Sequence, residues 1–132
     1  MGAPGAIGVL VVDDDAAVSA MIGTFLTKNG YSVRTAPNPI EAEKILASQD
    51  IRLLITDLMM PHQDGIRFTQ KLREQPKFKD LPIILITAYP STEIFDKGLR
   101  KGVSLALSKP IELKKLLELV GFATQAAPAQ MA

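Results

Sequence analysis

The sequence contains no cysteine and no tryptophan, and it has a single histidine among 132 residues. The absence of cysteine excludes disulfide bonds, thiol chemistry and metal sites built from thiolates. The single histidine, His62, has no partner spaced for a metal site or a catalytic triad, and we interpret it as a loop residue.

Strong net charge and long apolar runs are also missing. The net charge is +1, so nothing indicates direct binding to nucleic acid, a membrane surface or a polyacidic partner. No stretch approaches the roughly eighteen apolar residues of a membrane span, and residues 1–8 do not resemble a signal peptide. We therefore expect a cytoplasmic protein with one domain over residues 1–123, followed by a flexible tail or truncated linker over residues 124–132.

Apolar runs and helical patterns alternate along the chain. Residues 7–12, 51–56 and 81–87 predict buried central strands, and the weaker patterns at 31–35 and 103–108 predict edge strands. Each predicted strand is followed by a predicted helix, which favours an α/β fold with a doubly wound, mainly parallel sheet between two layers of helices.

Local signals predict where several helices begin and end. Asp15 is suited to cap the first helix, Gly30 to follow its end, and Asn38-Pro39 to begin the second. Pro110 is predicted to begin the last helix. In the last strand, alternation predicts one face formed by Val103, Leu105 and Leu107.

Polar side chains stand at the ends of four of the five predicted strands. They are Asp13 with Asp14, then Asp57, Thr87 and Lys109. The carboxyl ends of parallel strands lie along one edge of a sheet, so three carboxylates should crowd there and need a counter-charge. Mg²⁺ binds such oxygen ligands, while a lysine and a threonine hydroxyl suit a phosphate. The pattern predicts a phosphoryl site with a carboxylate nucleophile.

Each signal has a simpler structural interpretation. Asp13–Asp15 could only cap a helix, and Asp15 is the member most suited to that role. Asp57 could simply end a strand and begin a turn, Thr87 could be a β-branched residue closing a strand, and Lys109 could be solvated. The arrangement of all four on successive strand ends favours the functional interpretation.

These residues resemble the receiver domain of two-component response regulators, over about Ile7 to Phe122. The resemblance is carried by Val11-Val12-Asp13-Asp14, Asp57-Leu58-Met59-Met60-Pro61, Asp64-Gly65, Leu81-Pro82-Ile83-Ile84, Thr87-Ala88 and Lys109-Pro110. It implies a flavodoxin-like, three-layer (βα)5 fold with strand order 2-1-3-4-5.

The resemblance also implies roles for individual residues. Asp57 would accept a phosphoryl group from a histidine kinase or a histidine phosphotransfer protein. Mg²⁺ or Mn²⁺ would be held by Asp14, Asp57 and the Met59 backbone carbonyl, with Asp13 acting mainly through water. Phosphoryl oxygens would be bound by Thr87, the Ala88 N–H and Lys109, and the peptide bond before Pro110 would be cis. The chain would catalyse only its own phosphorylation and dephosphorylation.

One position departs from the family pattern. Three residues before Lys109 the family usually has a Tyr or Phe that couples phosphorylation to the surface of the fourth helix, fifth strand and fifth helix, whereas this chain has Ala106. We hypothesise that Tyr89 fills part of the vacated volume and is the moving group. Met59 and Tyr89 would flank the phosphoryl group and limit entry of water.

Other functional classes remain open from the sequence. A pseudo-receiver that binds proteins without phosphotransfer is favoured by Ala106 and opposed by the intact acids, Thr87 and Lys109. A phosphatase with an aspartyl-phosphate intermediate usually needs a second acid where this chain has Met59. A flavin-binding protein would need a Ser/Thr/Gly-rich loop after the first strand. No signal identifies a particular kinase or downstream target.

Overall fold

The computed structural model describes residues 5–60 and 63–125, and in these ranges five strands alternate with five α-helices. In chain order the elements are β1 (Gly8–Val12), α1 (Ala16–Lys28), β2 (Ser32–Ala36), α2 (Pro39–Ser48), β3 (Leu53–Asp57), α3 (Gly65–Arg73), β4 (Ile83–Thr87), α4 (Thr92–Arg100), β5 (Leu105–Ser108) and α5 (Leu113–Thr124). A short 3₁₀ helix, Pro76–Phe78, follows α3. Thr124 ends α5, and most of the expected tail, residues 126–132, lies outside the described residues, as does His62.

The five strands form one parallel sheet in the order β2-β1-β3-β4-β5, which confirms the predicted fold class and topology. Every residue of β3 and β4 is buried, because both strands are central and covered on two faces. β2 and β5 lie at the edges and are only partly buried, as their weaker patterns predicted. Within the described ranges, no helix has the length and apolar character needed to cross a bilayer.

Alternate residues of the central strands build two separate cores. On one face Val9 and Ile55 pack in a cluster that includes Ile22 of α1 and Leu116 of α5. On the other face Leu10 packs in a cluster with residues of α2 and α3, among them Leu46, Phe68 and Leu72. Helices cover both faces of the sheet, which leaves the strand ends as the place where polar groups can meet.

Most helix ends lie where the local signals placed them. The Asp15 carboxylate accepts hydrogen bonds from the Ala17 and Val18 N–H groups and caps α1. The Asn38 side chain accepts one from the Glu41 N–H at 2.9 Å, with Pro39 in the first turn of α2. Gly30 follows α1 with a φ of 95°, a conformation that favours glycine.

Two local predictions were wrong. α5 begins at Leu113 rather than at Pro110, because the backbone of Glu112 is still extended, with a φ of −85° and a ψ of 111°. The Lys109–Pro110 peptide bond is cis. The cis bond itself agrees with the resemblance. Val103 does not share a face with Leu105 and Leu107, since it precedes β5 and packs in a third cluster that includes Ala106.

Arg73, at the end of α3, joins two turns of the chain. Its guanidinium donates two hydrogen bonds to the Gly102 carbonyl, at 3.1 and 2.7 Å, and one to the Phe78 carbonyl at 2.6 Å. Gly102 has a φ of 111°, and a Cβ there would lie 2.7 Å from Arg73 Cγ. A glycine is therefore required for both the backbone conformation and the close approach of the arginine.

Candidate functional site

The sheet brings the predicted site residues to its carboxyl edge. Asp57 and Thr87 are the last residues of β3 and β4, while Asp13 and Lys109 immediately follow β1 and β5. These four strands are consecutive neighbours in the sheet. The polar groups that were predicted from distant segments of the sequence therefore lie side by side along the carboxyl edge of the sheet.

Lys109 joins two buried acids at this edge. Its Nζ lies 3.0 Å from Asp13 Oδ2 and 3.3 Å from Asp57 Oδ2. The Asp13 side chain has no exposed surface and that of Asp57 is only 8% exposed. Both ion pairs are shielded from solvent. Charge–charge interactions are stronger in such buried surroundings than on an open surface.

Three carboxylates converge beside the lysine. Asp13, Asp14 and Asp57 each offer an oxygen within 4.8 Å of the other two, and Asp14 is the exposed member. One ammonium cannot balance three carboxylates, so the cluster has an excess of negative charge. Oxygen ligands that face solvent on one side and are buried on the other suit a hard divalent cation such as Mg²⁺.

Asp13 is fixed by its own loop as well as by the lysine. Its Oδ1 accepts a hydrogen bond from the Asp15 N–H at 2.9 Å, and its own N–H donates to the Ala36 carbonyl at 3.1 Å. With Asp15 capping α1, the three consecutive acids have separate positions: Asp13 inside the cluster, Asp14 at its exposed side and Asp15 on the helix.

The environment shifts two pKa values upward. Burial raises the pKa of the Asp57 carboxyl, and repulsion from Asp13 raises it further, against the opposing effects of Lys109 and the Leu58 N–H. Burial lowers the pKa of the Lys109 ammonium, but its hydrogen bond to Asp13 and the charges of both acids outweigh this effect and raise the pKa. The charged form of Asp57 is thus disfavoured in the folded chain, whereas that of Lys109 is favoured.

The raised pKa of Asp57 gives a pH-dependent stability. The folded chain binds the Asp57 proton more tightly than the unfolded chain, so this contribution to stability is fully present below the ordinary pKa of 3.8 and is lost as pH rises through the raised pKa. Urea unfolding in metal-free buffer, from about pH 4 to about pH 8, should show the native chain losing stability relative to Asp57→Asn. The raised pKa of Asp57 would be contradicted if the difference in the free energy of unfolding between the two chains stayed constant with pH, or if it changed in favour of the native chain as pH rises.

The loop after Asp57 is tied back to the sheet. The Leu58 N–H donates to the Ile86 carbonyl at 2.9 Å, and the Gly65 N–H donates to the Leu58 carbonyl at 2.8 Å. At Gly65 the backbone is so close that a Cβ would overlap the Asp57 carbonyl oxygen. Asp64 caps α3 by accepting a hydrogen bond from the Arg67 N–H at 2.8 Å, and nothing in the sequence analysis indicated this contact between Gly65 and Asp57.

Thr87 is fully buried, and its hydroxyl group can still donate a hydrogen bond. Its Oγ1 accepts a hydrogen bond from the Tyr89 N–H at 2.9 Å, and no residue in the described ranges accepts the hydroxyl proton. The next residue, Ala88, is exposed, and its N–H has no acceptor among those residues either. Two donors at the end of β4 are therefore available to an incoming oxygen.

Met59 and Tyr89 border the edge as large exposed side chains, with 58% and 68% of their surfaces accessible. Ala106 packs with Ile94 and Val103 in the third apolar cluster. Most of the Tyr89 ring faces solvent, so in this conformation Tyr89 does not fill the space beside Ala106. The hypothesis that Tyr89 moves there on phosphorylation stays a prediction.

The fold and the site together define a class. A five-stranded parallel sheet in the order 2-1-3-4-5, with acids and a lysine converging at its carboxyl edge, is a flavodoxin-like α/β protein with a candidate site for a cation and a phosphoryl group. Residues 9–121 match the response regulator receiver domain family. The chain belongs to this family, whose members are signalling domains of two-component systems.

Known proteins that are similar to this chain in sequence or structure include other response regulators. The chain is 38% identical to the uncharacterized 14.6 kDa protein in the sodA1 3′ region of Leptolyngbya boryana, covering 85% of this chain and 86% of that protein. It is 37% identical to response regulator Rre1 of Synechocystis, covering 86% of this chain but 50% of Rre1. The structure of the chemotaxis response regulator CheY4 of Vibrio cholerae matches with a TM-score of 0.84 and 30% identity, covering 89% and 98% of the two chains.

Proposed function

We propose that this chain is a phosphorylation-activated receiver in which Asp57 accepts a phosphoryl group from a histidine kinase or a histidine phosphotransfer protein. The observation that carries the proposal is the ion-paired cluster, in which Lys109 Nζ contacts both Asp13 and Asp57 beside the exposed Asp14. In the transfer, a bond forms between an Asp57 oxygen and phosphorus while the bond from phosphorus to the donor imidazole nitrogen breaks. Cytoplasmic location stays a prediction.

The carboxylate cluster fits Mg²⁺ or Mn²⁺, since its members are oxygen donors with an unbalanced negative charge. Asp14, Asp57 and the Met59 carbonyl would hold the ion, and Asp13 would act mainly through water. When bound, such an ion neutralises charge on the phosphoryl oxygens. Asp13 has a second role in this proposal, because its hydrogen bond at 3.0 Å holds Lys109 beside Asp57.

Thr87, Ala88 and Lys109 would bind the phosphoryl group. The buried hydroxyl proton of Thr87 and the Ala88 N–H are the available donors at the end of β4. The Lys109 ammonium faces Asp57 across the cluster and would pair with a phosphoryl oxygen. These groups stabilise charge and fix position, so the chain would catalyse only its own phosphorylation and dephosphorylation.

A pseudo-receiver is the second candidate, and Ala106 is the observation that favours it. Ala106 lacks the aromatic ring that the family uses for coupling, so the chain could serve as a protein-interaction module without phosphotransfer. The convergence of Asp13, Asp57 and Lys109 counts against this candidate, because a buried charged cluster has a desolvation cost that an interaction module need not retain.

The test is the intact mass of the chain after incubation with acetyl phosphate. With Mg²⁺ we expect the mass of the chain to increase by one phosphoryl group, and with excess chelator we expect no increase. No mass increase with Mg²⁺ or Mn²⁺, in a chain that remains folded by circular dichroism, would favour the pseudo-receiver.

We also expect slow self-dephosphorylation. Met59 and Tyr89 are bulky and exposed at the edge of the site, and neither carries an acid or amide that could orient an attacking water molecule. Following the phosphorylated mass at room temperature after donor removal, we expect Met59→Asn to lose phosphate about tenfold faster than the native chain. Loss from the native chain within seconds would refute this expectation.

A further inference from the structure

A groove lies at the amino edge of the sheet, between the end of α2 and the segments that lead into β3 and β4. It consists of two adjoining cavities of about 630 and about 230 Å³, which share Leu46, Ala47, Lys77 and Phe78 in their walls. We call it the amino-edge groove. None of its lining residues belongs to the carboxylate cluster, which stands at the opposite edge of the sheet.

The Lys77 side chain places its ammonium group in this groove. Its Nζ donates a hydrogen bond to the Leu46 carbonyl at 3.2 Å and lies 5.3 Å from the centroid of the Phe78 ring, which is largely buried. Leu46 is in the last turn of α2, where the free carbonyls carry partial negative charge and the helix has no basic residue of its own. A carbonyl and an aromatic face therefore bind an ammonium group that comes from a distant segment of the chain.

The charges around the groove favour a cation over an anion. Asp50 is paired with Arg52 at 3.4 Å, whereas Asp80, which also lines the larger cavity, has no ion pair with any residue in the described ranges. Among those residues Lys77 has no carboxylate partner either, so uncharged groups alone hold its ammonium. An incoming anion would meet the negative end of α2 and the Asp80 carboxylate, and both would repel it.

We propose that the amino-edge groove is a binding site for a small molecule with a protonated amine on an apolar body, and that Lys77 is its internal competitor. The ammonium of the ligand takes the place of Lys77 Nζ at the Leu46 carbonyl and over the Phe78 ring, while the apolar body lies against Ile51 and Leu81. Lys77 is an exposed residue, so its side chain moves into water when the ligand binds. This site does not depend on phosphorylation of Asp57.

The experiment is an NMR titration of the full chain with butylammonium chloride at constant ionic strength, in which the amide shifts of Ala47 and Phe78 report binding. We expect Lys77→Ala to bind butylammonium about tenfold more tightly than the native chain, because its binding site is no longer occupied by the internal ammonium. Lys79→Ala is the matched control: it removes the same charge from an exposed neighbour that does not line the groove, and it should bind like the native chain. Phe78→Leu should weaken binding to the native chain about threefold, through loss of the aromatic face.

Sodium butyrate, which has the same chain length and the opposite charge, tests the sign of the ligand. Butyrate should leave the amides of the groove unchanged. Shifts at Ala47 and Phe78 with butyrate that disappear in Lys77→Ala would show an anion site and overturn the proposal. Equal affinity of the native chain and Lys77→Ala for butylammonium, or no binding by either, would overturn it as well. Lys77→Met, which keeps the apolar part of the side chain, supplies the same comparison if Lys77→Ala does not fold.

Discussion

Replacing Asp57 by Asn is expected to abolish phosphoryl incorporation, reducing the added mass to the background of the assay. An amide has nearly the shape of a carboxylate but lacks the negative oxygen that attacks phosphorus, and it is a weaker ligand for a hard cation. Intact mass after incubation with acetyl phosphate and Mg²⁺ measures the effect directly.

The same substitution should leave the fold intact. The Asn side chain removes a charge that is disfavoured by burial and by Asp13, while the 3.0 Å contact between Lys109 and Asp13 remains. Near neutral pH, the free energy of unfolding of the Asp57→Asn chain should be either higher than that of the native chain or lower by no more than about 1 kcal/mol. Asp50→Asn is the matched control, because Asp50 is exposed and forms only a surface ion pair with Arg52. Equal phosphorylation of Asp57→Asn and the native chain would place the acceptor elsewhere.

Replacing Gly65 by Ala is expected to produce the second large effect, on both stability and phosphorylation. The added Cβ would overlap the Asp57 carbonyl oxygen and lie 3.1 Å from Leu85 Cδ1, so either β3 or the start of α3 must shift. We expect a loss of about 3 kcal/mol in the free energy of unfolding, at the upper end for overpacking. The phosphorylation rate should fall about a hundredfold, because the acceptor carboxylate is displaced.

Two other glycines supply controls for this variant. At Gly8 a Cβ would overlap the Asp50 carbonyl oxygen, a similar clash at the opposite edge of the sheet, so Gly8→Ala should destabilise the chain without slowing phosphorylation of its folded fraction. At Gly121, within α5, a Cβ would meet nothing within 4 Å, so Gly121→Ala should stabilise the chain by up to about 1 kcal/mol. A Gly65→Ala chain that phosphorylates like Gly8→Ala would show that Gly65 does not position Asp57.

The features that the sequence predicted correctly depend on local patterns. Buried strands appear as apolar runs, and the caps at Asp15 and Asn38 depend on residues within one helical turn. The convergence of Asp13, Asp57 and Lys109 follows from a topological rule, since the carboxyl ends of parallel strands share an edge. Once the alternation of strands and helices is recognised, the position of the site follows without knowledge of distances.

The remaining features depend on how segments approach one another in space. In the sequence, Gly65 looks like any glycine after a helix cap, and Arg73 looks like a basic residue in the last turn of a helix. Their contacts with Asp57 and Gly102 are visible only when the loops are in place. The prediction that Val103 shares a strand face with Leu105 and Leu107 was wrong because it extended the two-residue alternation of a strand into the turn that precedes β5.

The spacing of the two buried acids has a consequence for ion selectivity. Asp13 and Asp57 extend from β1 and β3, which are hydrogen-bonded neighbours with Val12 opposite Thr56, so the sheet sets their separation. If a cation binds here, Asp57 would contact it directly and Asp13 mainly through water. Carboxylates on so rigid a frame would favour a small ion such as Mg²⁺, which keeps several of its own water molecules, over Ca²⁺, which takes about six to eight oxygen ligands. Discrimination between cations would then follow from ionic radius and from the readiness of the ion to keep its own water shell.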